Sequence, residues 1–207
     1  MITIFAPFAD RLNLNGDQGN VLVLTKFFEA AKVDCQVVSN FQQLNGKRPD
    51  FVFLGHGSDA AMRSIDAELV AQRHALVDFQ STVPGLVVGS SVVWLVEQGL
   101  SAQVKKPGAQ ESRFEVAKIE NLRVLGYRNT DSGLDSLAQT GKWIESMLHG
   151  PVLAKNPALL SMVAARILEV ANLAMPVAET AEWMSQLNRI SAEIWSVETD
   201  EEFEPAN

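Results

Sequence analysis

Three short segments hold the residue types that could do chemistry: Gly55-His56-Gly57-Ser58-Asp59, Gly89-Ser90-Ser91, and Leu148-His149-Gly150-Pro151. Each follows an apolar run. A sharp turn between a strand and a helix exposes one side chain at its tip and turns the next backbone N–H groups into the crevice, as a nucleophile elbow does. Here the tip is Gly89, which has no side chain to attack with. Ser90 or Ser91 could substitute, or the three residues simply make a tight turn and a helix N-cap. Glycines after a strand let the backbone approach a ligand closely. Gly55, His56, Gly57 and Ser58 therefore form a candidate ligand- or oxyanion-binding loop. Within it, Asp59 reads as the cap of the next helix and His56 as a solvent-facing histidine. His149 closes an apolar strand and could serve as a general base. His74 falls on a helix surface. Cys35 reads as a buried small hydrophobe, not a nucleophile.

The elements that must position these residues are legible as alternating short apolar runs and amphipathic stretches. Ile2–Phe5, Cys35–Val38, Phe51–Leu54 and Gly85–Val88 read as buried parallel strands. Val21–Ala31, Ile65–Phe79 and Val92–Glu97 read as helices between or after them. This order predicts an α/β fold with an open, mostly parallel sheet and flanking helices. Its ligand crevice should lie outside the carboxyl ends of the strands. In the second half, Arg113–Lys118 and Leu122–Arg128 can pair as a hairpin turning at Glu120-Asn121. Lys142–Leu148 reads as a strand and Pro157–Leu173 as a helix. The reading divides the chain into a domain at 1–175, an amphipathic helix at 176–197 and an acidic tail at 198–207. Trp183 and Trp195 on that helix form either a docking face or part of the core.

The 207 residues carry 17 Lys and Arg against 25 acids, a net charge of −8, so a phosphate backbone is a poor partner and no nucleic acid is expected. A single cysteine excludes an intramolecular disulfide and a cysteine-built zinc site. No metal site and no cofactor are expected. The most apolar stretch, Val83–Val96, is broken by Pro84, Gly85, Gly89, Ser90 and Ser91, so no membrane span is expected. The opening MITIFAPFADR carries neither a basic leader nor a small-residue cleavage site, which reads as a cytoplasmic protein.

Four blocks occur together in order: Asp10-Arg11-Leu12-Asn13-Leu14-Asn15-Gly16-Asp17-Gln18-Gly19-Asn20, Phe53-Leu54-Gly55-His56-Gly57-Ser58-Asp59, Pro84-Gly85-Leu86, and Leu148 through Asn156 with its His149-Gly150-Pro151. Over residues 1–100 and 140–172 the chain resembles class I glutamine amidotransferases of the cobyric acid synthase type. It is most similar to the glutaminase subunit of lipid II isoglutaminyl synthase, which amidates peptidoglycan precursors with a Mur-ligase-like partner. The resemblance implies a flavodoxin-like layering, His149 as catalytic base, Gly55–Gly57 as oxyanion loop with His56 replacing a glycine, and Ser90 as the residue after the nucleophile. It places the nucleophilic cysteine at Gly89. Gly89-Ser90-Ser91-Val92-Val93 stands where the family has Cys-Gly-Gly-Tyr-Gln, and 101–139 lacks the arginine motif that pins the substrate, although Arg113, Arg123 and Arg128 lie nearby. The resemblance thus implies a pseudoenzyme that scaffolds or regulates a Mur-ligase-like synthetase or other amidotransferase partner, with a small molecule as the possible occupant of the glutamine pocket. The alternative is an active amidotransferase or hydrolase using Ser90 or Ser91 with His149. A crevice filled by Val92, Val93 or Trp94 would favour the first, and a serine facing His149 the second.

Overall fold

The computed structural model describes residues 1–199. β1 (Ile2–Phe5), β2 (Cys35–Val38), β3 (Phe51–Leu54) and β4 (Gly85–Val88) fall where the apolar runs predict them. With β8 (Trp143–Ser146) and β7 (Leu137–Thr140) they build a six-stranded sheet in the order β2-β1-β3-β4-β8-β7. The first five strands of that order run parallel, and only β7 is antiparallel. The continuous hydrophobicity of β3 and β4 follows from burial on both faces, because successive side chains alternate between them. Phe51, Phe53, Leu86 and Val88 enter one core with α1 (Gly19–Ala30), α5 (Val152–Lys155) and α6 (Pro157–Val170). Val52, Leu54 and Val87 enter the other, with α2 (Asp59–Ala71), α3 (Arg73–Thr82) and α4 (Ser90–Glu97). The chain is therefore an α/β protein with a mostly parallel sheet between two helical layers.

Several expectations need correction. The single helix expected over Ile65–Phe79 is two, α2 and α3, broken at Gln72. The strand expected over Lys142–Leu148 is also two. β8 stays in the main sheet, whereas β9 (Leu148–His149) joins a second, antiparallel sheet with β5 (Glu111–Ile119) and β6 (Leu122–Thr130). The Ser146 hydroxyl binds both the N–H and the carbonyl of Leu148, fixing the bend between the two sheets. The helix expected to reach Leu173 ends at Val170. Cys35 is only half-buried, because β2 is an edge strand. Burial is nonetheless the main cause that pushes its thiol up to about 11.

α7 (Val177–Thr199) lies against α1, α5, α6 and β5. Trp195 is buried with its indole N–H on the Lys155 carbonyl, and Trp183 meets Phe27 edge to face. The acidic segment expected at 198–207 lies, from residue 200 onward, outside the described residues. Among those described, no helix is long and apolar enough to cross a membrane.

Asn156 ties the two sheets' supports together. Its buried amide accepts from Leu125 N–H at 2.8 Å and donates to the Leu125 and Val152 carbonyls at 2.8 and 2.7 Å. Removing it leaves buried backbone groups unpaired. Asn156→Ala should lower stability by about 2–4 kcal/mol, measured as a lower urea midpoint at unchanged m-value.

Candidate functional site

The carboxyl ends of β1, β3, β4 and β8 bring together the loops that carry Asp17, His56, Gly89 and His149. Those of His56, Gly89 and His149 form the floor of a cleft of about 640 Å³. Gly89 has φ 58 and ψ −119, a conformation that side-chain-bearing residues rarely adopt, and it turns β4 directly into α4. The elbow backbone is thus present without a nucleophile. A Cβ at Gly89 would lie 2.5 Å from His56 Nδ1 and 2.8 Å from His149 Cε1. The two imidazoles therefore fill the space where an elbow side chain would stand.

His56 is not the solvent-facing residue expected. It is half-buried, and its ring meets that of His149 edge to face with centroids 4.5 Å apart. Its Nδ1 accepts the Ser90 N–H at 3.0 Å, and the Ser90 hydroxyl accepts the Gly57 N–H at 2.9 Å. Those two N–H groups are the ones that an oxyanion-binding loop and elbow would offer to a reacting carbonyl. Here groups of the chain itself occupy both. Ser91 is buried and donates its hydroxyl to the Gly55 carbonyl at 2.6 Å, which joins the loop to the elbow. Ser58, not Asp59, caps α2, accepting the Ala61 N–H at 3.2 Å. Gly55 has its own steric reason: a Cβ there would lie 2.1 Å from the Leu12 carbonyl oxygen.

His149 is 4% exposed. Its Nε2 faces the Asn129 carbonyl at 3.1 Å, and because a carbonyl can only accept, Nε2 carries the ring proton. Nδ1 is left as a buried lone pair without a partner among the described residues. The hairpin of β5 and β6 thus positions His149, through the Tyr127–His149 register and Asn129. Neither serine hydroxyl is hydrogen-bonded to the histidine.

Asp17 had no role in the sequence reading, and it is the residue that holds the two loops together. It is wholly buried, with one carboxylate oxygen on the Gly150 N–H at 2.9 Å and the other on the His56 N–H at 3.2 Å. Asn20 adds bonds to the Asp17 and Gly150 carbonyls and accepts the Leu153 N–H. The Asp17-Gln18-Gly19-Asn20 part of the first block was the available signal.

The cleft is open above this floor. Val92 is buried in the core, whereas Val93 and Trp94 line one wall; the Trp94 indole N–H is held by Asp66 at 2.8 Å. Lys105 and Gln110 line another, on a segment anchored where buried Glu145 accepts from Ser101 and Gln103 at 2.6 and 2.9 Å. Arg113, Arg123 and Arg128 do not line it. Arg128 is tied to Glu111, Ser136 and the Leu134 carbonyl, Arg113 to Glu111 and Glu115, and Arg123 lies over the Trp195 ring. Among the described residues, no group of three or more His, Cys, Asp or Glu side chains is placed to hold a metal ion.

Burial is the main cause that holds both histidines below the ordinary imidazole range, His56 at about 4. His149 lowers His56 further and Asp59 partly opposes it, whereas the Asn129 carbonyl and Asp17 partly oppose burial at His149. Burial moves Asp17 up. An unfolded chain protonates its histidines near pH ~6.5, above the folded values, so their contribution is complete above that pH and is lost as pH falls toward 4. Asp17 acts in the opposite sense at the acid end. The melting temperature should therefore fall between pH 7 and 5, and fall less in His56→Gln, as scanning calorimetry would show. Asp17→Ala should lower stability by about 2–5 kcal/mol at pH 7 by stranding two buried N–H groups, measured by urea unfolding.

No known protein family's sequence profile matches the chain, and no curated protein matches it. Solved structures do. One is a glutamine amidotransferase from Thermotoga maritima, 13% identical with a TM-score of 0.47, covering 92% of this chain and 91% of that one. Another is a DJ-1 superfamily protein from Salmonella typhimurium, solved as a mutant, 14% identical with a TM-score of 0.44, covering 89% of this chain and 98% of that one. These are likenesses of chain path and carry no residue role with them.

Proposed function

We propose that this chain is a glutamine amidotransferase-like protein without glutaminase activity. It scaffolds or regulates a synthetase partner, Mur-ligase-like or of another amidotransferase, and its cleft is free to hold a small molecule. One observation carries the reading. The elbow has a glycine at its tip, and the two N–H groups that would stabilise an oxyanion are engaged by His56 Nδ1 and the Ser90 hydroxyl. Covalent attack on a carboxamide needs both a nucleophile and a vacant donor pair, so two separate requirements are unmet. Nothing in the geometry favours the serine route. Ser91 is spent on the Gly55 carbonyl, and the Ser90 hydroxyl faces the Gly57 N–H.

The test is release of ammonia and glutamate from glutamine, with any copurifying partner present. Wild type should be silent. Gly89→Cys alone should remain silent, because its Cβ would stand 2.5 Å from the His56 ring. Gly89→Cys combined with His56→Gly and Ser90→Gly, which supplies the nucleophile and vacates both donors, should gain turnover, and adding His149→Ala should then reduce it by about 10²- to 10⁴-fold. Turnover by the wild type that His149→Ala abolishes would sink the noncatalytic reading.

A further inference from the structure

The cradle at the elbow is complete except that the chain plugs it. Ser90 and Gly57 carry two backbone donors, held by His56 Nδ1 and the Ser90 hydroxyl, and His149, 4% exposed, brings Cε1 within 2.8 Å of where a Gly89 Cβ would stand, with the adjacent Nδ1 lone pair buried and without a partner among the described residues. His56 covers this group: its ring takes one donor and lies against His149 at 4.5 Å. It hangs from a loop whose backbone is fixed on both sides of the residue, the His56 N–H on Asp17 and the His56 carbonyl accepting the Leu14 N–H at 3.0 Å, so displacement is a rotation of the side chain alone. The adjoining cleft of about 640 Å³ has room to receive an imidazole.

We propose that His56 is an internal stopper, and that a small 2-hydroxycarboxylate binds by displacing it. The inference rests on the noncatalytic reading for treating the cradle as a place to bind, not to react. The ligand class follows from the inventory of partners. Two N–H donors on one side call for a carboxylate, and a lone pair on the other calls for a donor beside that carboxylate, which a neighbouring hydroxyl supplies. A plain carboxylate would satisfy the donors and leave His149 Nδ1 unpaired. The ligand takes the Gly57 N–H as the Ser90 hydroxyl rotates off it, in every chain alike, whereas displacing the ring costs the His56–Ser90 hydrogen bond in the wild type alone, so the wild type binds more weakly than a chain without the stopper.

The experiment follows the Ser90 and Gly57 backbone amide resonances of the full chain by ¹H–¹⁵N spectroscopy during titration with glycolate, and separately with acetate. In His56→Gly both amides should shift saturably with glycolate, with a Kd about tenfold tighter than in wild type, equivalent to ~1.4 kcal/mol. His56→Gln keeps an acceptor at the same place and should behave as wild type. Acetate should bind more weakly than glycolate in His56→Gly. Amides that stay still in His56→Gly, or that respond alike in all three chains, would overturn the stopper; equal binding of acetate and glycolate would overturn the ligand class. On the unaltered chain, the His56 Nδ1 resonance must move as glycolate saturates. A stationary resonance rejects the proposal even where His56→Gly does not fold. The readout needs no turnover, so glutamine hydrolysis by the wild type would end the noncatalytic reading without changing these shifts.

Discussion

The site depends on one buried carboxylate. Asp17 accepts a hydrogen bond from the Gly150 N–H with one oxygen and from the His56 N–H with the other, and no solvent reaches it. Those loops leave different strands and are far apart in sequence, so neither could set the position of the other. A carboxylate in a buried place is costly unless its lone pairs are occupied. That cost makes the arrangement specific: displacing either loop would strand a charged oxygen. Asn20 reinforces it from the first turn of α1 through the Gly150 carbonyl and the Leu153 N–H. The block containing Asp17 and Asn20 thus acts on the site as a clamp, without lining the cleft.

With the loops clamped, the cradle's state is decided by which acceptors reach its donors. A backbone N–H in a half-buried site must find an acceptor, and here the nearest are a histidine nitrogen and a serine oxygen. The same imidazole fills the space that an elbow side chain would need. The bare elbow and the occupied donors are therefore coupled: a glycine at position 89 is what leaves room for a histidine at position 56. With no side chain at the elbow and an imidazole on the facing loop, the space is filled and no nucleophile stands at the tip.

The hairpin of β5 and β6 belongs to this site as much as the elbow does. Its register with β9 presents the Asn129 carbonyl to His149 Nε2, which fixes the ring's tautomer and leaves Nδ1 bare. The arginines of the hairpin are committed to Glu111, Glu115 and Trp195 instead of the cleft. The walls of the cleft are correspondingly different in kind from its floor: mixed charges on long side chains above, fixed backbone groups below.

β1, β3 and β4 were legible in the sequence because burial in the middle of the sheet forces four-residue apolar runs, and turn residues mark their ends. The elbow glycine and His149 were legible because both follow such runs. β7 was not, since Leu137-Ala138-Gln139-Thr140 lies at an edge and carries no continuous apolar signal. Nor was the break between β8 and β9, which is made by a side-chain hydroxyl of Ser146 inside an unbroken apolar stretch. His56 was misread as solvent-facing because a glycine loop gives no periodicity from which to tell an inward side chain. Local pattern therefore determined the layers and put three polar loops at one edge of the sheet. Only the tertiary structure decided that Asp17 joins two of them and that His56 seals the third, because hydrogen bonds between residues 33 to 133 positions apart leave no spacing rule in the chain.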